Sequence, residues 1–255
     1  MTADRTVLSL YDDAPCDALQ RRAGSPMLVV VDRCASTMDL AHHLAADGAP
    51  HGTAVVADEQ CAGRGRTGKS WTSARGAGVW VSVLLRRAVA TPGGVLSLRT
   101  GLELAQALDA FAGSTIQLKW PNDLFHGGMK LAGILTEARW RGDQLEWIVV
   151  GVGINVQASV REPAVAALAA GTRRCDVLVH AVQCVLRAAD QAGDLRVDEL
   201  ARFAARDLAV GREVESPMVG TVLGVTARGG VRIRTSTGDA VAVAGSLVFR
   251  PPLSE

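Results

Sequence analysis

The 255-residue chain predicts an α+β protein, with strands and helices interspersed over most of its length and a small all-β unit at its end. Three observations carry that reading. Short β-branched runs alternate with segments of helical apolar period through the first two hundred or so residues. A long hairpin is written at 130–140 and 145–156, flanking Arg141-Gly142-Asp143. From Gly211 onward, short β runs alternate with glycine turns at close spacing.

Taken in order, residues 1–26 are polar and carry Asp, Arg and Pro, which predicts a loosely held leader. Residues 27–31 form a strand of Leu and Val. Ser36 can cap a helix reaching about Asp47 and ended by Gly48. Strands follow at 53–58 and 79–86, then a turn at Thr91-Pro92-Gly93-Gly94. Leu98, Leu102, Ala105 and Leu108 give 95–112 a helical stripe. A strand at 116–120 is stopped by Pro121. Helices are expected over 162–170, 174–190 and 197–209. This places one large domain at 27–210 and a small one at 211–255. The runs 213–214, 220–225, 231–235, 240–243 and 247–249 predict a barrel for the latter. There are no internal repeats, low-complexity tracts or coiled-coil heptads.

Composition narrows the function. Hydrophobic residues make up 48% of the chain, enough for a packed core. A net charge of +1 gives no global field for nucleic acid or an anionic membrane, so any basic site must be local. No apolar run is long enough to span a bilayer, and the N-terminus lacks the apolar core of a signal peptide. Five cysteines without C-x-x-C spacing fit free thiols in a reducing cytoplasm. His42 and His43 are adjacent and show no zinc spacing.

The basic site is local indeed. Gly63-Arg64-Gly65-Arg66-Thr67-Gly68-Lys69-Ser70-Trp71 packs three cations and three glycines into nine residues. Glycine lets backbone N–H groups approach a ligand, and arginine offers a planar fork suited to phosphate or carboxylate. The stretch fits the P-loop pattern, but a P-loop needs a helix after it. Here Trp71 to Gly78 is rich in Gly, Ser and Thr, and the next regular segment is a strand. A solvated basic loop is the plain alternative.

Three more segments are unusual. Lys119-Trp120-Pro121-Asn122-Asp123 sets polar groups at a strand end, and Lys130-Leu131-Ala132-Gly133-Ile134-Leu135 puts a lysine at the mouth of an apolar strand. Gly151-Val152-Gly153-Ile154-Asn155-Val156 alternates glycine with branched residues, a mark of close approach by a ligand or another chain segment. The four segments together, in this order, resemble the biotin protein ligase family over about residues 30–156, and the β-rich tail is similar to that family's C-terminal domain.

The resemblance implies a class II synthetase-like catalytic domain, a mixed sheet with helices on one face, followed by an SH3-like barrel. It implies an ATP-dependent ligase in the cytoplasm, which forms biotinoyl-5′-AMP and then modifies a lysine of a biotin carboxyl carrier protein such as that of acetyl-CoA carboxylase. ATP, Mg2+ and biotin are the implied small molecules. By similarity Lys130 bridges the biotin carboxylate and the α-phosphate, and Arg66 is its catalytic companion. Ser36, Thr37, Met38 and Gln60 serve the biotin end with Arg64, Gly65, Arg66 and Lys130, walled by Trp71, Gly133 and Leu135. Arg64, Arg66, Lys69, Asn122, Asp123 and Asn155 serve ATP and the adenylate, with Asp123 a magnesium contact. Ser36 and Thr37 could equally be helix caps, Asp123 a capping residue and Asn155 a turn residue.

The chain departs from the pattern in places. Met38 replaces the family's usual Asn, Lys69 stands where Arg is frequent, and residues 157–171 hold no aromatic that could stack on adenine. Only about 26 residues precede the first core strand, fewer than the three-helix DNA-binding unit of some relatives needs, so no DNA is expected as a partner. A monomer or weak homodimer is expected. A lipoate or related acyl-protein ligase, and a non-catalytic biotin or nucleotide binding module, are the competing readings.

Overall fold

The computed structural model describes residues 6–86, 93–157 and 165–250. The chain begins with a minimal hairpin of β1 (Leu10–Tyr11) and β2 (Ala14–Pro15), followed by α1 (Cys16–Ala23). Gly24 closes α1 in the left-handed region at φ 67° and returns its N–H to the Arg21 carbonyl. A loosely held leader is not what residues 6–26 form: Tyr11 and Leu19 are buried in the main core, and Arg174 lies over the Tyr11 ring at 4.8 Å. The polar residues that suggested a leader are instead anchors. Asp12 pairs with Arg174, and Asp176 with Arg22.

The main sheet is built from β3 (Leu28–Cys34), β4 (Ala54–Gln60), β5 (Gly78–Leu85), β6 (Gln117–Lys119), β7 (Asp123–His126), β8 (Met129–Arg141) and β9 (Gln144–Asn155). Their spatial order is β3-β4-β5-β9-β8-β7-β6. Only β3 and β4 run parallel, joined by the crossover helix α2 (Thr37–Ala46). The β7 strand was not expected. It pairs Asp123 with Gly133 and with Lys119, using the polar stretch that read as a strand end.

Strand alternation sends alternate side chains to two differently covered faces. Ala54 and Val56 of β4 face a layer made by α1, α3 (Gly93–Ala112) and α4 (Arg174–Ala189). Val55 and Ala57 face α2, through Met38, Leu40, Ala41 and Ala45. The helices therefore do not lie on one face as expected. One face is fully covered by helices and the other only partly, and the uncovered part is where a ligand can sit. The expected helix over 162–170 is absent at 165–170, and residues 158–164 lie outside the described part. Of the turn expected at 91–94, residues 93 and 94 open α3 and the rest lie outside the described part.

After α5 (Val197–Ala204) come β10 (Glu213–Ser216), β11 (Gly220–Val225), β12 (Val231–Thr235), β13 (Gly238–Ala242) and β14 (Val248–Phe249). They form one antiparallel sheet in the order β13-β12-β11-β10-β14. The end strands are not paired with each other, so the sheet is open rather than the closed barrel expected. Val214, Val222 and Ile233 join the same core as the large sheet, and the Trp120 indole donates to the Gly229 carbonyl at 2.9 Å. Among the described residues no helix is long and apolar enough to cross a membrane, and no disulfide links the cysteines.

Candidate active site

A cavity opens on the partly covered face, about 850 Å3 counted out to its mouth. Its floor is made by strands that carry glycine where a side chain would intrude. A Cβ at Gly153 would sit 2.7 Å from the Trp71 indole, and one at Gly133 3.0 Å from the same ring. The Trp71 ring thus lies flush on β8 and β9 because these positions have no side chain. At Gly151 a Cβ would meet the Met38 sulfur at 2.6 Å, so Met38 fills the floor where the expected Asn would have brought an amide.

The arginine-rich segment is an ordered hairpin over this floor. Trp71 donates to the Gly63 carbonyl at 2.8 Å and Gly65 to that of Lys69 at 2.7 Å, with Arg64 bridging to Ser70 between them. Thr67 and Gly68 turn the tip with φ of 54° and 76°. No helix follows Ser70, which removes the P-loop reading.

Lys130 reaches the cavity by a backbone irregularity. It is three positions from Gly133, an odd separation that in a regular strand would aim it at the helical layer with Ala132 and Ile134. The pairing of β7 with β8 shifts register between Leu124 and Phe125, so that Phe125 faces Lys130 and Leu131 is the extra residue. This bulge returns Lys130 to the face of Gly133. Its ammonium lies 5.2 Å from the Trp71 ring centroid and 2.6 Å from the Asp123 carboxylate. Asp123 comes from the end of the Lys119–Asp123 segment, where Asn122 donates to the Ile134 carbonyl at 2.7 Å and accepts weakly from Arg66 at 3.5 Å. Burial pulls the half-buried Arg66 guanidinium down from the usual arginine range, offset by the field of Asp123. Burial likewise lowers Lys119, which sits under the rings of Phe125 and Phe249.

The other end is neutral. Thr37 gives both its N–H, at 2.8 Å, and its hydroxyl, at 3.1 Å, to the side-chain amide oxygen of Gln60. Ser82 must therefore be the donor in its 2.8 Å contact with the Thr37 hydroxyl. Gln60 in turn donates to Ser73 at 2.7 Å. Ser36 occupies the cap position of α2 but makes no capping bond; its hydroxyl is buried without a partner, as is the Trp71 indole N–H. Both groups belong to residues that line the cavity, although the atoms themselves are covered.

Of the residues singled out in the sequence, Ser36, Thr37, Met38 and Gln60 line this cavity with Arg64, Gly65, Arg66, Lys69 and Trp71. So do Asn122, Asp123, Lys130, Gly133 and Leu135. Asn155 does not; its amide lies 3.5 Å from the Lys130 carbonyl, at the end of β9. Sequence reasoning did not single out Ser82 or Ser246. Ser82 had a signal, a lone hydroxyl inside the apolar run 79–85. Ser246 had none, since only the docking of the C-terminal sheet brings it to the cavity. As for a metal, Asp123 is a single carboxylate already paired with Lys130, and no cluster of three or more metal-binding side chains occurs among the described residues. This donor set does not make a resident magnesium site.

Residues 30–155 match the Biotin/lipoate A/B protein ligase family. The bifunctional ligase/repressor BirA of Bacillus subtilis is 42% identical over 132 residues, which are 51% of this chain and 40% of that protein. The biotin--[acetyl-CoA-carboxylase] ligase of Mycobacterium tuberculosis is 37% identical over 147 residues, 55% of this chain and 53% of that protein. The chain thus spans about half, or less, of the length of these curated relatives. Among solved structures, the biotin protein ligase of Aquifex aeolicus in complex with biotin and ATP superposes with a TM-score of 0.73 at 27% identity, covering 89% of this chain and all of that one. The cavity, its cationic hairpin and these matches agree: residues 30–155 form a domain of the biotin/lipoate A/B protein ligase family.

Proposed function

We propose that the protein is an ATP-dependent biotin ligase acting on a biotin carboxyl carrier protein. The observation that carries the reading is the convergence of Lys130, from the bulged strand, with Arg64 and Arg66, from the hairpin, on one cavity. The biotin carboxylate attacks the α-phosphorus of ATP, the bond to pyrophosphate breaks, and biotinoyl-5′-AMP forms. The amine of a carrier lysine then attacks the acyl carbon and AMP leaves. A carboxylate must meet a polyanion in the first step, so the site has to supply positive charge where the two touch. Lys130 is a compact charge that can exchange Asp123 for the reacting anions. Arg66 and Lys69 line the same end and serve the phosphates with Arg64, while Asn122 steadies Arg66. At the neutral end Ser36, Thr37 and Gln60 offer paired donors and acceptors of the kind a ureido ring needs, and the Trp71 ring covers an apolar chain. Met38 packs against Gly151 rather than offering an amide, and Asn155 supports the Lys130 backbone from behind. The C-terminal sheet is the remaining wall, through Ser246.

The test is direct. The chain is mixed with ATP, magnesium, a carrier fragment and either biotin or lipoate, and pyrophosphate exchange is followed together with the mass of the fragment. Biotin-dependent exchange and a biotinyl adduct on one lysine are expected. Exchange with lipoate alone would move the activity to the other branch of the family, and binding without exchange would leave only a binding module.

A further inference from the structure

Beside the cavity lies a groove between α2 and the outer parts of β8 and β9, lined by Asp39, His42, Glu137, Arg139 and Trp147. It contains a hydrogen-bonded chain that ends on the catalytic hairpin. The Trp147 indole donates to His42 Nδ1 at 2.9 Å, and an indole N–H can only donate. His42 Nδ1 is therefore bare and the ring proton sits on Nε2, which donates to Glu137 at 3.1 Å. Glu137 faces the Arg64 guanidinium at 3.4 Å, and Asp39 takes the other side of that guanidinium at 2.6 Å. The hydrogen bond from His42 holds the Glu137 carboxyl below the usual range, with Arg64 adding to the effect.

We propose that His42 is a positioning residue for Arg64, acting through Glu137 to hold the arginine of the hairpin at the cavity wall before substrate arrives. The argument rests on the ligase reading for what Arg64 then binds, but the positioning itself is a property of the resting protein. Arginine has several soft torsions, and fixing it at the moment of binding costs entropy. Two carboxylates on its flanks remove that cost in advance, provided they stay put. Asp39 is carried by α2. Glu137 stands on the outer part of β8, where its neighbours Ala138 and Arg139 are exposed, so its orientation depends on the His42 bond. Trp147 fixes the His42 tautomer and so keeps a donor pointed at Glu137. None of these four residues carries a role in the acyl transfer itself.

The experiment compares wild type, H42A and H42Q. Glutamine keeps an acceptor for Trp147 and a donor for Glu137, whereas alanine keeps neither. Hydrogen exchange over residues 63–71 is measured on the resting protein, along with KM and kcat for biotin-dependent ATP–pyrophosphate exchange and the thermal midpoint. In H42A the hairpin amides exchange faster by about threefold or more and KM rises about tenfold with kcat within about threefold, as expected when a site loses preorganisation. H42Q returns both readouts close to wild type. Wild-type hairpin exchange and KM in H42A would overturn the proposal, as would H42Q behaving like H42A with an unchanged midpoint. Should H42A fold poorly, W147F removes only the indole donor and must shift the same two readouts in the same direction. If wild type shows no biotin-dependent exchange, the ligase reading fails, and the hairpin measurement still decides the role of His42.

Discussion

Lys130 shows how a residue can be legible while its geometry is not. A lysine at the mouth of an apolar strand is visible in the sequence, but simple alternation would aim it into the helical layer. The register shift between β7 and β8 cannot be seen without knowing that β7 exists, and β7 hides in the polar stretch after Pro121. Ser36 has the opposite history. Its type and place allow either a cap or a ligand group, and only the absence of a capping bond separates the two. For Lys130 the consequence is quantitative. A hydrogen bond to a charged group is worth about 1.5–3 kcal/mol, and about 1.4 kcal/mol is tenfold in rate. Lys130→Ala should slow adenylation by roughly ten- to hundredfold. Loss of the Lys130 charge also frees Asp123 to repel the phosphates, so K130A/D123N should recover part of the rate. Single-turnover pyrophosphate release measures both, and an unchanged rate in K130A would remove the lysine from the chemistry.

At the scale of elements, the hairpin 63–71 and the strands beneath it form one device. Glycines at 133 and 153 let Trp71 lie on the sheet, and Gly63 lets the hairpin neck close on Trp71 and Ser73. These glycines were visible as a pattern in the sequence, and their purpose became readable only when the indole was seen over them. The long hairpin of β8 and β9 was legible from its turn at Arg141-Gly142-Asp143, α2 from Ser36 and Gly48 at its ends, and α3 from its leucine stripe. Two elements were missed because their residues are polar for a reason of tertiary structure. The segment 10–23 carries Asp and Arg because it is pinned by ion pairs to α4, and the start of β7 reads as a strand stop because Asn122 and Asp123 line the cavity. Within the hairpin, Arg66 is half-buried and touches Asn122, so it serves both as a charge and as a latch for the tip. Arg66→Gly removes both and adds backbone freedom beside Gly65. The adenylate should then escape faster than it is transferred. The expected result is biotin on bystander proteins mixed with the variant, read by streptavidin blot, while adenylate formation persists. Labelling confined to the carrier lysine would refute the latch.

Across the whole molecule, a shared core and buried polar bonds join the two larger sheets. Arg99 of α3 and Glu199 of α5 are about 1–2% exposed and meet at 2.7 Å, with Arg99 also bonded to the carbonyls of Gln191 and Asp194. That knot ties α3 to the segment leading into the C-terminal sheet. The connection also contains a weakness. Asp207 follows α5, where the chain adds a parallel bridge to Leu118 at the sheet edge. Burial pushes its carboxyl up to about 6, although it accepts the Ala209 N–H at 2.9 Å. In the unfolded chain an aspartate titrates near its ordinary value of about 3.9. The folded state therefore binds the proton more tightly than the unfolded state does. The stability that this proton favours is fully present below about pH 4 and is lost as the pH rises through about 6. At neutral pH the fold carries a partly desolvated anion. Asp207→Asn keeps the acceptor for Ala209 without the charge, so it should stabilise the protein at pH 7.5 by about 1–3 kcal/mol, the upper figure being about two pKa units at 1.36 kcal/mol each. At pH 4 the advantage should shrink to about 0.5 kcal/mol, since the folded aspartate is then neutral and only the unfolded one is about half ionised. Urea unfolding of wild type and D207N at the two pH values measures the difference, and a stabilisation independent of pH would show that the gain comes from packing rather than from the buried charge.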